Sequence, residues 1–224
     1  MKKKNTGLIA LLIAYWVLAL IPLIAILLTY PQIQDNVAIH FGTGGVPDRW
    51  GEKWEILFIP AGIFVFAAVM LIITSVSANH SSQPLKNRTV SLLMLLGAMV
   101  VFNILTAWII AFNSPSLSNL TDNFDIAKLS FIYIGALMIF LGIFTTKLTK
   151  NFASGARVPW NLTEEAWQKL QFFSQKVLFI GGTILIIACV FFLQGWSASV
   201  FLLVFLTALC LIIVFYGWRL RESK

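Results

Sequence analysis

The chain has 224 residues, of which 59% are hydrophobic and 11% charged, and its mean hydropathy is +0.88. A soluble domain is roughly 45–50% apolar and about 25% charged, so the composition excludes a soluble globule and bounds a number of membrane spans. The net charge of +7 comes from where the cations fall between spans, and gives no reason to invoke direct nucleic acid binding.

A helix needs about 20 apolar residues to cross a hydrocarbon core of about 30 Å. Six runs qualify: 7–29, 56–78, 89–113, 129–146, 177–194 and 199–218. The first comes after Met1-Lys2-Lys3-Lys4, which reads like the start of a signal peptide. Its apolar stretch exceeds the roughly 7–15 residues of a cleavable one, and no small-x-small site precedes Tyr30-Pro31, so it is expected to stay as span one. Pro22 lies in span one and Pro60 in span two, where neighbours can satisfy the carbonyl that each frees.

The loop 30–55 carries dense turn chemistry in Gly42, Gly44, Gly45 and Pro47, after an alternating stretch at Val37–Phe41. A short extended arm with a tight glycine turn is expected there. Trp50 and Trp54 then approach span two, where aromatics favour the headgroup layer. The loop 79–88 is short, polar and broken by Pro84. The loop 114–128 is rich in Ser, Asn and Asp. The turn Gly195-Trp196-Ser197-Ala198 is read as the connection that makes spans five and six an antiparallel hairpin.

The segment 147–176 is longer than the few residues a helix connection needs. Gly155 and Pro159 break any helix from span four. Thr163 is a helix N-cap, with Glu164 and Glu165 in the first turn. Ala166, Leu170, Phe173 and Val177 then mark one helical face. A short amphipathic helix near the membrane surface is expected to feed span five.

Thirteen of the sixteen Lys and Arg fall on one side if the N-terminus is inside, leaving Arg49, Lys53 and Lys128 outside. Cytoplasmic loops carry the Lys/Arg excess, so both termini are expected inside, with Asp35, Asp48, Glu52, Glu55, Asp122 and Asp125 outside. Basic residues at the inner boundary are placed to touch lipid headgroups. The expected fold class is therefore all-α: a polytopic helical bundle of six transmembrane helices.

No span holds Asp, Glu, Lys, Arg or His away from its ends, where ion-coupled transporters keep such groups. Asn103, with Thr106 one turn on, reads as interhelical glue. Gly135 and Gly142, seven apart, mark a close helix contact. Cys189 and Cys210 read as small apolar residues. His80 reads as solvated. His40, Asp48 and Glu52 are metal-ligand types, but one His among scattered acids matches no metal motif. Asp48 reads as a turn stabiliser beside Pro47, and His40 as structural or recognition. No catalytic set, metal or cofactor is expected, and the protein is not read as an enzyme. Function is therefore sought in the two large loops. In the inner one, Arg157, Trp160 and Trp167 read either as interfacial anchors or as a recognition surface, with anchoring the stronger reading on residues alone.

Two motifs carry a resemblance. Ile39-His40-Phe41-Gly42-Thr43-Gly44-Gly45-Val46-Pro47-Asp48-Arg49-Trp50 resembles the signature of the DUF1648 membrane domain. Gly155-Ala156-Arg157-Val158-Pro159-Trp160-Asn161-Leu162, with Trp167 and Lys169, resembles that of the Sdp-type (SdpI-like) immunity proteins. Val158 and Asn161 stand where the latter has threonines, and Leu170-Gln171-Phe172 where it has Thr-His-Arg. The resemblance implies a two-span module at 1–78 with outer loop 30–55, and a four-span module at 79–224 with cytoplasmic loop 147–176. It implies an immunity or signalling protein of the cytoplasmic membrane of a Gram-positive bacterium, with a secreted peptide toxin and a cytoplasmic repressor as partners. It favours recognition at Gly155, Arg157, Pro159, Trp160, Trp167 and Lys169, and makes His40, Phe41, Gly42, Gly45, Pro47, Asp48 and Trp50 the outer motif. The alternatives are a small-substrate permease or exporter, and a metal-dependent membrane enzyme using His40, Asp48 and Glu52.

Overall fold

A computed structural model describes residues 2–42, 45–120, 126–191 and 195–222. Thr43, Gly44, Asp122, Asp125 and Lys224 lie outside the described residues, as does the end of span five at 192–194. Six helices form: α1 (Lys2–Thr29), α2 (Phe58–Asn79), α3 (Pro84–Phe112), α4 (Ile126–Thr145), α5 (Glu164–Phe191) and α6 (Gly195–Glu222). All six have the length and apolarity to cross a membrane. Large apolar side chains such as Ile13, Val65 and Leu203 stand open at 60% or more, as lipid-facing positions do. The chain is a multi-pass membrane protein of helical-bundle class.

Between α1 and α2 two short strands pair antiparallel, β1 (Asn36–Phe41) and β2 (Pro47–Glu52), with Asn36 opposite Glu52 and Phe41 opposite Pro47. The extended arm and glycine turn expected from the sequence are both present, and Gly45 takes a positive φ of 73° in the turn. Six alternating spans bring the hairpin to one end of the bundle. The start of α1, the end of α6 and the 146–163 loop lie at the other.

The helices pack as two groups. Tyr15 and Ala19 of α1, Ile63 and Ala67 of α2, and Leu92, Leu95 and Met99 of α3 share one core. Met138 of α4, Leu185 and Cys189 of α5, and the α6 side chains Phe201, Phe205 and Leu209 share another. Gly135 of α4 and Gly182 of α5 let two backbones meet: a Cβ on Gly135 would lie 2.8 Å from the Gly182 carbonyl oxygen. Gly142 approaches Gln175 in the same seam, so the close contact read from the glycine spacing lies within one chain.

Pro22 has no N–H for the carbonyl of Leu18 one turn back. Asn103 of α3 donates its Nδ2–H to that oxygen at 2.9 Å, so the interhelical glue is also the repair of the proline's missing bond. Pro60 sits in the first turn of α2, where no intrahelical donor is lost.

Two expectations change. No separate amphipathic helix precedes span five; nothing breaks the chain between Glu164 and Val177, and the stretch is the start of the 28-residue α5. Its buried face is Trp167, Leu170, Gln171 and Ser174, offset from the apolar face read in the sequence because two polar side chains turn inward. Gly195–Ala198, read as a connecting turn, forms the first turn of α6.

Candidate functional site

The 146–163 loop is drawn into the bundle. Leu148 is fully buried, and Leu162, Thr149, Asn151 and Ser154 are each at least 92% buried. Buried backbone needs partners, and helical side chains supply them. From α3, Asn87 donates Nδ2–H to Thr149 O at 3.0 Å and accepts the Thr149 N–H at 2.9 Å. From α5, Gln171 donates Nε2–H to Ala156 O at 2.9 Å and accepts the Ala156 N–H at 2.8 Å. Each carboxamide serves both polar groups of one residue, as a neighbouring strand would. From α2, the Ser77 hydroxyl accepts the N–H groups of Phe152 and Ala153 at 3.0 and 2.8 Å and donates to Asn151 Oδ1 at 3.0 Å. Ser91 of α3 bonds the Ser154 hydroxyl at 2.7 Å.

Gly155 has φ +89°, and a Cβ there would lie 2.6 Å from Gln171 Oε1. Left-handed backbone disfavours side chains, and here the space is also taken. Glycine is required so that Ala156 can meet Gln171. Arg157 turns one guanidinium nitrogen back onto the Asn151 carbonyl oxygen while the residue stays exposed. Partial burial lowers its pKa from the ordinary value, but a guanidinium remains charged in proteins. Trp160 is half-buried and donates Nε1–H to Gly217 O of α6 at 3.1 Å. Trp167 is 5% exposed and packs with Val90, Leu148, Leu162 and Leu170, a position that leaves little of it for a headgroup or a partner. Pro159 and Lys169 are exposed, and Lys169 pairs with Glu165 at 2.6 Å. Thr163 caps α5, accepting the Ala166 N–H on its hydroxyl at 3.2 Å. A cleft of about 320 Å³ remains open at this end, lined among others by Asn161, Thr163, Glu165, Lys169 and Arg221.

The hairpin end is built otherwise. One carboxamide, Asn113 just past α3, accepts the Ala38 N–H at 2.7 Å and donates to Ala38 O at 3.4 Å. Phe41 seats the strand by edge contacts with Trp108 and Phe112, each 5.1 Å between centroids. Beyond these anchors the hairpin is open. His40 Nδ1 lies 2.5 Å from Asp48 Oδ1, with their side chains 67% and 51% exposed. Arg49 and Trp50 are exposed beside them. Glu52 stays at the far end of the hairpin, opposite Asn36, where its carboxylate accepts the Trp54 Nε1–H at 2.7 Å. The structure thus brings His40 and Asp48 together but not Glu52. His40, Phe41, Gly42 and Asp48 form one wall of an open cleft of about 640 Å³, and Ile126, Ser130, Phe131 and Ser199 of α4 and α6 form the other. The cleft mixes polar and apolar side chains, and joins the hairpin to the second helix group.

The sequence reading named the loop residues but missed those that hold them: Ser77, Asn87, Asn113 and Gln171. A signal existed. Asn87 and Ser91 lie four apart on α3, and Gln171 and Ser174 three apart on α5, so each pair repeats on one helical face beside apolar neighbours.

Residues 17–65 match the profile of DUF1648, a domain of unknown function, and residues 147–217 match that of the SdpI/YfhL protein family. The resemblance carried by the two motifs therefore holds. The second match is to a membrane family rather than a known enzyme family, and it suggests a membrane immunity protein. A 48-residue stretch is 50% identical to an uncharacterised protein of Archaeoglobus fulgidus, covering 21% of this chain and 26% of that protein. The match thus spans about a quarter of that relative. No solved structure matches the chain.

Proposed function

With an SdpI/YfhL segment in a six-span membrane protein as the premise, we propose that the chain protects the cell that makes it against a secreted peptide toxin, and that the toxin is met at the hairpin end. The Lys/Arg excess at the other end orients the hairpin outward, toward a toxin arriving from the medium. The observation that carries this reading is the cleft of about 640 Å³ between His40–Asp48 and the α4/α6 wall. It offers a peptide a closely paired imidazole and carboxylate, two hydroxyls and three apolar side chains in one open site, and it touches both helix groups. A ligand bound there favours whichever packing of the two groups it contacts better.

The 146–163 loop would be where such a change is felt, because it is bonded to α2, α3, α5 and α6 together. We assign it the role of a tie, with exposed Arg157 and Lys169 facing any cytoplasmic partner. Repressor sequestration is the finer possibility at that face. A permease would need a polar path through the spans; of the two deep polar side chains, Asn103 donates its Nδ2–H to Leu18 O at 2.9 Å and Thr106 its hydroxyl to Phe102 O at 2.8 Å, so the donors of both are used in helix packing.

The test is protection. Sensitive cells expressing the chain are challenged with medium from the bacterium that carries the gene. Survival that requires the chain, with no substrate flux in vesicles, supports the reading; unaltered killing with the protein present in the membrane refutes it.

A further inference from the structure

We propose that the groove between α5 and α6 at the end holding the 146–163 loop binds an anionic phospholipid, with an acyl chain along its apolar floor and the phosphate at Arg219. The groove has a volume of about 360 Å³ and is lined by Phe173 of α5 and by Leu211, Ile212, Phe215, Tyr216 and Arg219 of α6.

Its polarity runs along the helix axis. Leu211 and Ile212 mark the apolar end. Arg219 stands eight residues beyond Leu211, roughly 12 Å at the helical rise, in the last turn of α6. That places carbon side chains at acyl depth and a cation at phosphate depth, the order in which a phospholipid presents itself. The walls are preformed. Phe173 and Tyr216 stack at 4.0 Å between centroids and 18° between planes. The Arg219 guanidinium carbon lies 5.7 Å from the Phe215 ring centroid, a cation–π contact that needs none of its N–H donors, which suit a phosphate.

Charge complementarity selects an anionic lipid. Among the described residues no carboxylate pairs with Arg219. Lys176 is exposed on α5, one turn beyond Phe173 toward the apolar end, and its long stem lets the ammonium snorkel back toward the phosphate. Lys169, nearby, is already matched by Glu165. Leu211 and Phe215 are 63% and 57% exposed, so the floor opens to the bilayer.

The test uses the purified full chain in a neutral detergent, titrated with phosphatidylglycerol or phosphatidylcholine and read by native mass spectrometry and thermal midpoint. Phosphatidylglycerol is expected to remain bound and raise the midpoint, and inorganic phosphate to do neither. Phosphatidylcholine is expected to bind at least about fivefold more weakly, the scale of one interfacial cation. R219Q is expected to lose the preference while keeping the lipid-free midpoint, and R219K to retain most of it. Equal binding of both lipids, or unchanged phosphatidylglycerol retention in R219Q and K176Q, would overturn the proposal. So would a lipid-insensitive dimer cross-linked through the Leu211 face, which would make a second copy the occupant.

Discussion

At one end of the bundle, Asn113 pairs with Ala38, and the hairpin beyond it carries His40, Asp48, Arg49 and Trp50 into the open. At the other, Asn87 and Gln171 pair with Thr149 and Ala156, and the chain between them is held against the helices, with Asn151 and Ser154 buried. The same chemical device, a carboxamide facing both polar groups of one peptide residue, presents one loop and ties the other to the helices. The difference lies in the chain beyond the clamp. The hairpin satisfies its own backbone across two strands and so can stand clear of the helices. The 146–163 loop has no strand partner, so helical side chains supply its bonds, and it can only sit among them. An exposed loop is free to recognise; a loop bonded to four helices reports on how they pack.

The comparison breaks most directly at the buried clamps. Gln171→Ala strips the Ala156 N–H and C=O of their partners, and buried unpaired groups cost about 1–3 kcal/mol each. A loss of about 2–6 kcal/mol is expected, read as a shifted midpoint in denaturant or as depleted protein in the membrane. Asn87→Ala should match it through Thr149. If either variant is as stable as the wild type, the loop is not a tie.

Gly155→Ala comes next. It forces a side chain into left-handed backbone and against Gln171, at a cost of about 1–3 kcal/mol. Combined with Gln171→Ala it should cost less than the sum, because the second change removes the clash; a double-mutant cycle measures this.

Asn103→Ala should cost about 0.6–1.7 kcal/mol, the range for hydrogen bonds between membrane helices. Pro22→Ala should reduce that cost, since an alanine at this position brings its own N–H to the Leu18 carbonyl. Equal cost in both backgrounds would show that Asn103 does not answer the proline.

The hairpin variants His40→Ala and Asp48→Asn carry the smallest stability effect, within about 0.5 kcal/mol, as open surface changes usually do. Their expected effect is on protection alone.

The spans were legible because each is a long apolar run, and the hairpin because Gly42, Gly45 and Pro47 come after an alternating stretch. The bonding of the inner loop was not. An apolar period places Leu170 but says nothing of which backbone Gln171 meets, since that depends on a chain segment fifteen residues away returning beside it. Trp167 shows the same limit: an aromatic near a span end fits the headgroups as well as the core, and only packing against Leu148 and Leu162 decides. Among the candidate residues, the nearness of His40 and Asp48 was within reach, because a turn between alternating stretches brings such positions together; the α4/α6 wall opposite them was not.

The most direct measurement is protection per molecule in the membrane, compared between a hairpin double variant, His40→Ala with Asp48→Asn, and Gln171→Ala. The account predicts that the hairpin variant accumulates like the wild type and fails to protect, while Gln171→Ala loses protection in step with loss of protein. Full protection by the hairpin variant at normal abundance would contradict it.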